Sequence, residues 1–424
     1  MRILIVGLAW AASAWGQWTT PTVAEVDAIY PDIEKLYIDL HRHPELAFNE
    51  VQTAAKLAAR MKALGFDVTS GVGKTGIVAV MKNGPGPVVM LRTELDALPV
   101  SEKTDLPFAS QVPNVMHACG HDIHMSAWAG TARLMAEHKA QWHGTLVMIG
   151  QPAEEGGGGA SAMLKDGLFT RFPKPAFALS LHDDDTMPSG TIGYHPGNFR
   201  ATSDGVTITI YGRGGHAAMP QNTIDPIVIA ARTVLALQTI VSRENNPIDP
   251  VVITVGSIHG GSQGNIIPDE VKLQLSVRTY TPEVRKRVLA SITRIAKAEA
   301  LAGGATREPL VQGGGAGSSG GVVYNDPALT LRLAGALKAG LGAENVVEMP
   351  AKMTSEDFSQ YWLAGGVPSA LLHIGAVNKE KLQRAAETGI PGPAPHSPEW
   401  APEREPTLKA AIRAETTELL ELFR

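Results

Sequence analysis

Short apolar runs alternate with amphipathic stretches of helical length through the first half of the chain, and this alternation narrows the choice of fold more than any other property. The predicted elements are strands at 76–81 and 87–91, a helix at 122–139, a strand at 144–151, a helix at 160–168 and a strand at 177–182. Such alternation predicts a sheet with helices on its faces. Because 44% of the 424 residues are hydrophobic, a large core can form. We therefore expect an α/β fold.

The middle of the chain has a different order of elements, which predicts a module inserted at residues 200–310. Its expected elements are a strand at 205–211, a helix at 225–242, strands at 251–258 and 271–279, and a helix at 282–302. This order is typical of a small ferredoxin-like α+β module with one open sheet face. The glycine-rich stretch 313–321 is typical of a flexible joint. A strand at 369–374 and helices at 326–341 and 402–423 complete an enclosing domain, which consists of residues 17–199 and 311–424.

The N-terminal residues have the pattern of an export signal. Arg2 precedes an uncharged, largely apolar run at 3–15, with small residues near its end. The run is too short to span a bilayer comfortably, which favours a cleaved signal peptide at residues 1–16 over a membrane anchor. A buried N-terminal strand or helix is the alternative. We expect a protein exported to the periplasm or secreted, without a stable membrane anchor after cleavage.

The charge balance argues against a nucleic-acid partner, and the cysteine count excludes an intrachain disulfide. The net charge is −5 and no basic run is present, so we expect no nucleic-acid partner. Cys119 is the single cysteine, so an intrachain disulfide cannot form. A metal-bound thiolate and a buried inert thiol both remain as explanations for this residue.

Three predicted strands run directly into side chains that can bind metals. These side chains are Glu94 and Asp96 after the strand at 87–91, Glu154 and Glu155 after the strand at 144–151, and His182 at the end of the strand at 177–182. Ligands bind at the carboxyl ends of strands in α/β sheets, so we expect these side chains to converge. Taken singly, an adjacent glutamate pair is more often part of a solvated loop, and a lone histidine is more often structural.

A fourth segment fits the same site. Cys119 and His121 stand two residues apart before the helix at 122–139, where an extended turn places both side chains on one side. A helix N-terminus also favours a thiolate, and Asp122 can cap this helix. A lone cysteine is more often part of an inert core, but its position beside the strand ends favours a ligand.

Several motifs, in this order along the chain, resemble one family of enzymes. Cys-Gly-His-Asp-x-His at 119–124, Gln-Pro-Ala-Glu-Glu-Gly at 151–156 and Gly-Gly-His-Ala-Ala-x-Pro at 214–220 resemble the amidohydrolases typified by hippurate hydrolase and the auxin-conjugate hydrolases. These enzymes belong to the larger aminoacylase and carboxypeptidase clan of two-metal peptidases. Further matching segments lie at 41–45, 265–269, 276–279, 355–358 and 396–398. The resemblance covers nearly the whole chain after the leader.

The resemblance implies a role for each matching residue. Two divalent metal ions would be bound by Cys119, His121, Glu155, His182 and His396. Glu154 would be the general base for a metal-bridging water. The inserted module would be a lid that also forms a homodimer, with His216 reaching the neighbouring subunit's site, while Asn265 and Arg278 hold the substrate. A thiolate favours zinc, cobalt or nickel, whereas carboxylates and imidazoles admit manganese, and we expect manganese or zinc.

Four further residues have two interpretations each. Asp96 orients a metal ligand or caps a loop, and His124 supports the metal site from behind or is structural. Asn265 is a substrate contact or a turn residue, and Arg278 is a substrate contact or a surface charge. The resemblance favours the substrate contacts for Asn265 and Arg278, and we expect Asp96 to orient a metal ligand.

Two segments depart from the family pattern. Thr93-Glu94-Leu95-Asp96 stands where the family usually has Ala-Asp-Met-Asp, and Asp183-Asp184-Asp185 follows His182 where Asn-x-x-Pro is common. We expect the three aspartates to form a solvated loop. A preference for a cationic substrate is the alternative.

The resulting prediction is a metal-dependent amidohydrolase that cleaves N-acyl amino acids or similar conjugates. A dipeptidase or carboxypeptidase acting on short peptides is the alternative within the same enzyme class. An exported metal-dependent binding protein without turnover is the alternative from another class. Glu154 argues against the binding protein, because a protein that only binds needs no base beside the water.

Overall fold

The computed structural model describes residues 18–156, 158–314 and 321–424. The predicted signal peptide at 1–16 lies outside these residues, as do residues 315–320 of the predicted joint. The helices in chain order are α1 (Val23–Arg42), α2 (Val51–Ala63), α3 (His121–Glu137), α4 (Gly159–Lys165), α5 (Leu168–Arg171), α6 (Pro226–Thr239), α7 (Pro282–Ala302), α8 (Pro327–Leu341), α9 (Ser359–Leu363), α10 (Lys379–Thr388) and α11 (Arg404–Leu422).

The strands in chain order are β1 (Asp67–Val72), β2 (Gly76–Asn83), β3 (Val88–Glu94), β4 (Gly144–Gln151), β5 (Phe177–Pro188), β6 (Ile192–Tyr194), β7 (Gly197–Arg200), β8 (Asp204–Tyr211), β9 (Gly215–His216), β10 (Val251–His259), β11 (Ile266–Ile267), β12 (Glu270–Thr279), β13 (Leu310–Gly313), β14 (Val323–Asn325), β15 (Val346–Glu348) and β16 (Ser369–Val377). Each strand and long helix expected from the alternation has a counterpart among them.

An eight-stranded mixed sheet forms the centre of the larger domain, in the order β1-β2-β4-β3-β5-β16-β6-β15. The neighbouring inner strands β4, β3, β5 and β16 run parallel. Their residues are almost all buried, because helices cover both faces of the sheet. The predicted α/β fold is therefore confirmed.

Successive residues of the inner strands pack into different layers. Val89 and Leu91 of β3 lie in a core with Trp128 of α3, whereas Met90 between them lies in a second core with Met163 of α4. This follows from the two-residue period of a strand, whose side chains alternate between the two sheet faces. The sheet is thereby held from both sides, and its strand ends have a fixed position.

The position directly before helix α3 can be occupied only by glycine. Gly120 has φ 74°, and a Cβ atom there would clash with the carboxylate of Asp183. Asp122 does not cap the helix as expected, because the helix begins one residue earlier at His121. The Asp122 carboxylate instead accepts from its neighbouring amide and lies 2.6 Å from His41 Nδ1.

The inserted module contains a four-stranded antiparallel sheet in the order β10-β12-β8-β13, with α6 and α7 packed on one face. Its chain order β8-α6-β10-β12-α7-β13 is the ferredoxin-like arrangement. The fourth strand, β13, extends beyond residue 310 and pairs with β8. A separate two-stranded ribbon pairs β9 with β11.

Candidate active site

The carboxyl ends of the inner parallel strands open onto a cavity of about 1100 Å³ between the larger domain and the module. The larger domain contributes several predicted site residues to the cavity wall, namely Cys119, Glu154, Glu155, His182 and His396. The open face of the module's sheet contributes Val252, Thr254, Ser276 and Arg278. The cavity therefore joins most of the predicted metal ligands to one predicted substrate contact.

The five predicted metal ligands lie together in two groups that share Cys119. The ligand atoms of Cys119, His121 and His182 lie within 4.8 Å of one another, and so do those of Cys119, Glu155 and His396. Cys119 Sγ is 3.7 Å from His182 Nε2, and His396 Nε2 is 3.1 Å from Glu155 Oε1. One soft sulfur, three imidazoles and a carboxylate at these separations form a donor set suited to transition-metal cations.

His121 supplies an independent test of whether a metal fits. As the first residue of α3, it directs Nδ1 to the backbone oxygen of Asp96 at 2.7 Å. Its Nε2 is buried and has no hydrogen-bond partner among the described residues. A ring held at one nitrogen and open at the other is the usual state of a histidine that binds a metal.

The loop that carries the two glutamates is held by a buried carboxylate. The amides of Glu154 and Glu155 donate to the two carboxylate oxygens of Asp96, each at 3.0 Å. The backbone of Asp96 also holds His121, so this residue contacts two parts of the predicted metal site. Asp96 thus lies where an orienting residue is expected.

His396 reaches the site from a strained backbone. Its φ is 72°, a conformation that residues other than glycine seldom adopt, and its amide donates to the Ala118 oxygen at 2.6 Å. This bond joins the His396 loop to the residue preceding Cys119. Strain of this kind collects at functional sites, where the surrounding structure imposes it.

The carboxylates of the site favour cations. Burial raises the pKa of the Cys119 thiol well above its usual value, and the charges of Glu155 and Asp183 add to the increase. Burial alone lowers the pKa of His121, but the Asp96 hydrogen bond and nearby carboxylates outweigh it and raise the pKa to about 10. A bound divalent cation would compensate this negative potential and deprotonate the thiol.

The two glutamates have opposite pKa shifts. Burial, followed by the charges of Glu356 and Glu155, raises the pKa of Glu154 well above its usual value. Burial also acts to raise the pKa of Glu155, but the close contact with His396 and the charge of His121 lower it overall. Groups whose surroundings separate their pKa values are suited to different roles, here a proton carrier and an anionic ligand.

The three aspartates after His182 do not form a solvated loop, so that expectation is wrong. They lie within β5, where Asp183 and Asp184 are 2% and 1% exposed. Each of these two carboxylates has a partner that compensates its burial: Trp400 Nε1 donates to Asp183 Oδ2 at 3.1 Å, and Asp184 lies 2.6 Å from His373 Nδ1.

His124 lies behind the ligands rather than in the cavity wall. Its Nδ1 is 3.1 Å from Glu94 Oε2, and its Nε2 contacts Asp183. Glu94 is also paired with the buried Arg92. The longer carboxylate at position 94 therefore connects His124 to a buried charge network.

The sequence interpretation missed a second cluster at the cavity. His373 of β16 is in register with His182 of β5, with ring centroids 5.7 Å apart. Arg200 Nη2 lies 2.9 Å from His373 Nε2, and the ammonium of Lys352 lies 2.5 Å from Asp184. The sequence did place His373 in a predicted strand. Only the pairing of β16 with β5 shows that this strand brings His373 to the cavity.

The three predicted module residues separate into two places. Arg278 lines the cavity and donates to Ser355 Oγ at 2.8 Å. His216 and Asn265 lie on the exposed ribbon, where the Ala217 amide donates to the Asn265 oxygen at 3.1 Å. Neither of these two residues lines the cavity of its own chain.

Comparison with known proteins identifies the family of the chain. The family model for peptidase family M20/M25/M40 matches residues 90–388. The chain is 35% identical over 369 residues to IAA-amino acid hydrolase ILR1-like 4 of Arabidopsis thaliana, covering 85% of the chain and 78% of that protein. It is 39% identical over 284 residues to hippurate hydrolase of Campylobacter jejuni, covering 66% of the chain and 73% of that protein.

A solved structure extends the similarity to the whole fold. The YXEP protein of Bacillus subtilis, described as a dinuclear metal binding peptidase from the M20 family, superimposes with a TM-score of 0.75. It is 28% identical and covers 94% of this chain and 100% of its own. The chain therefore belongs to peptidase family M20/M25/M40 and is a metal-dependent hydrolase of amide bonds.

Proposed function

We propose that the protein cleaves the amide bond of N-acyl amino acids or similar small conjugates in the cavity between its two domains. The observation that carries this proposal is the position of Glu154. Its carboxylate lies within 4.8 Å of the ligand atoms of His121 and Glu155, and the side chain lines the cavity. The names of the hippurate and IAA-amino acid hydrolases support this substrate class.

Cys119, His121, Glu155, His182 and His396 would hold two divalent ions, with manganese or zinc expected. When bound, such ions would lower the pKa of a water toward neutrality and would polarise the substrate's carbonyl. Glu154 accepts the proton of the attacking water and returns it to the leaving amine. Its raised pKa suits this exchange, because the group must hold the proton between the two steps.

Arg278 is the proposed contact for the substrate's free carboxylate. It is half-buried in the cavity wall, and its hydrogen bond to Ser355 comes from one of its two terminal nitrogens. Guanidinium groups bind carboxylates through paired donors, so the remaining donors suit the carboxylate of an acyl amino acid.

The cavity wall favours a small or polar acyl group. The apolar side chains that line it are Val252, Met353, Ala394 and Pro395, and no phenylalanine, tyrosine or tryptophan lines it among the described residues. A benzoyl or indolyl group would bury little apolar surface against this wall. We expect acetyl and other short acyl groups to be preferred.

A homodimer formed through the module is the proposed assembly. One face of α6 is exposed and apolar, with Val228 55% and Leu235 72% accessible, and β10 is an edge strand beside it. The helical segment Pro226–Glu244, which includes α6, is long and apolar enough to cross a membrane. A third of it is buried in the protein, and its exposed apolar face is in keeping with a helix at a protein interface. Pairing through this face would account for the exposed His216, which we propose serves the neighbouring cavity.

Cleavage of dipeptides is the second candidate function, and one observation favours it. Asp185 lines the cavity, and the ammonium of Lys352 lies 3.8 Å from its carboxylate. A free α-amine of a dipeptide would find a carboxylate there. A neutral acyl group would not use it.

A substrate panel tests both candidates with protein reconstituted with manganese or zinc. N-acetyl and N-benzoyl amino acids are compared with dipeptides that have a free N-terminus. We expect kcat/KM to be at least about tenfold higher for the N-acetyl compounds. Faster cleavage of the dipeptides would replace the proposed function with the second candidate.

Export is the proposed destination, through the predicted signal at residues 1–16. N-terminal sequencing of protein recovered from the periplasm or medium should begin after that segment. Intact protein retained inside the cell would contradict the proposal.

A further inference from the structure

The buried carboxylate of Glu50 is hydrogen-bonded to the loop that carries Glu154 and Glu155. Glu50, directly before α2, is 0% exposed. Its Oε1 accepts from the amides of Phe48 at 2.9 Å and Ala153 at 2.8 Å, and its Oε2 accepts from the Thr75 hydroxyl. Burial of a carboxylate is unfavourable unless hydrogen bonds compensate it. These three bonds offset part of that cost, and burial still raises the pKa of Glu50.

Both amides bound by Glu50 Oε1 belong to strained residues. Phe48 has φ 60° and Ala153 has φ 48°, in the left-handed region that residues with a Cβ atom seldom adopt. Such conformations persist where the surrounding structure imposes them. Glu50 holds both residues through a single oxygen, so its removal would free both to relax.

Three consecutive amides of the loop are held by two carboxylates. Ala153 donates to Glu50, and Glu154 and Glu155 donate to the two oxygens of Asp96. The left-handed turn at Ala153 sets the direction in which the chain enters the glutamate pair. A change of φ there would move the Glu154 carboxylate relative to the metal ligands.

We infer that Glu50 is a positioning residue for the amide hydrolysis proposed above, acting through the Ala153 amide to aim Glu154. Displacement of a catalytic group by about 1 Å can cost about a hundredfold in rate. Loss of the hydrogen bond from the Ala153 amide to Glu50 should therefore lower kcat. KM and metal content should stay the same, because other residues bind the substrate and the metals.

The test compares Glu50→Leu with Glu50→Gln in the metal-loaded, full-length protein. In Glu50→Leu the Ala153 amide loses its acceptor, and we expect kcat to fall about 30- to 100-fold with KM and metal content unchanged. In Glu50→Gln the amide oxygen can accept from both backbone amides while its NH₂ group takes the place of Oε2 beside the Thr75 hydroxyl, to which it can donate. We expect that variant to stay within about threefold of the wild-type kcat.

Two further variants separate positioning from general stability. Thr75→Val removes only the bond to Oε2, and we expect a lower melting temperature with near-normal kcat. Ala153→Gly added to Glu50→Leu should recover part of kcat, because glycine adopts a left-handed φ without strain. If Glu50→Leu is insoluble, Glu50→Asp replaces it, since the shorter side chain withdraws from Ala153 while retaining the charge.

Near-normal kcat in Glu50→Leu or Glu50→Asp would overturn the inference. Equal losses in Glu50→Gln and Glu50→Leu would also overturn it. All rates are expressed relative to the wild type on a substrate that it cleaves. Failure of the wild type on every acyl amino acid would instead contradict the proposed function.

Discussion

Glu154 and Glu155 are neighbours in the chain, but their carboxyl groups have different surroundings. Burial and the Glu356 charge raise the pKa of Glu154. Burial acts in the same direction on Glu155, but its contact with His396, 3.1 Å away, leaves its pKa lowered. One carboxyl therefore holds a proton more readily, and the other is anionic and available to a cation.

Exchange of Glu154 for glutamine separates catalysis from metal binding. Because a glutamine side chain cannot accept the water's proton, we expect Glu154→Gln to lower kcat by about 10²- to 10⁴-fold. Elemental analysis should show unchanged metal content. Glu155→Gln is the matched control, and it should lose metal as well as activity. Near-normal turnover in Glu154→Gln would show that another group is the base.

The buried carboxyl group of Glu415 should make the free energy of unfolding depend on pH. It lies in α11, where its Oε2 accepts from the Thr131 hydroxyl at 2.7 Å. Burial raises its pKa from 4.5 to about 8. As the pH rises from 4.5 to 8, the unfolded chain releases this proton and the folded chain retains it, so the free energy of unfolding falls.

Glu415→Gln should remove this loss of stability, because glutamine does not ionise and still accepts from Thr131. We expect the variant to melt several degrees above the wild type at about pH 8 and at nearly the same temperature at about pH 4. Calorimetry at the two pH values measures the difference. An equal difference at both values would show that ionisation of Glu415 is not its cause.

Among the single elements, helix α3 has the strongest influence on the predicted metal site, because its first turn lies in that site. Its first residue is His121, and the preceding Gly120 has φ 74°. The side chain of Asp183 occupies the space where a Cβ atom of residue 120 would lie. The start of the helix and the position of β5 are therefore coupled.

Gly120→Ala should lower both stability and metal content. The new methyl group would overlap the carboxylate of Asp183, in a backbone conformation unfavourable to alanine. Gly335→Ala is the control, because this glycine lies within α8 with open space around its Cβ position. That control should be neutral or stabilising. Wild-type metal stoichiometry in Gly120→Ala would contradict the coupling.

At the scale of the whole molecule, the cavity is built by two domains. Arg278 of the module and Ser355 of the larger domain meet across it at 2.8 Å. The ribbon that carries His216 is exposed, and His216 does not line the cavity of its own chain. Complete activity is therefore expected to depend on pairing of two copies.

Leu235→Glu tests this dependence on pairing. If the proposed dimer forms, a charge on the exposed apolar face of α6 should convert it to a monomer and lower kcat, since His216 would lose its neighbouring site. Leu331→Glu is the control, because Leu331 is also exposed, at 54%, but lies on α8 of the larger domain. Light scattering and kinetics on the same samples give the result. A fully active monomer would reject the role of His216 between subunits.

Local patterns in the chain were sufficient for the main strands and helices after residue 76, for the α/β class and for most candidate ligands, whereas α1, α2 and β1 were not predicted and His396 was implied only by the family resemblance. The apolar runs at β3, β4 and β5 are recognised directly, because each strand buries both faces and ends at polar residues. The Cys119–His121 spacing and the Glu154–Glu155 pair stand out because unusual side chains follow those runs.

Long-range contacts decided the rest, because burial and pairing join residues far apart in the chain. Asp183 and Asp184 look like a solvated loop until His124 and His373 are placed against them. The hold of Glu50 on Ala153, across 103 residues, leaves no pattern in local sequence. A side chain's charge and solvation depend on these distant partners, so its surroundings were decided by the folded arrangement and not by its neighbours in the chain.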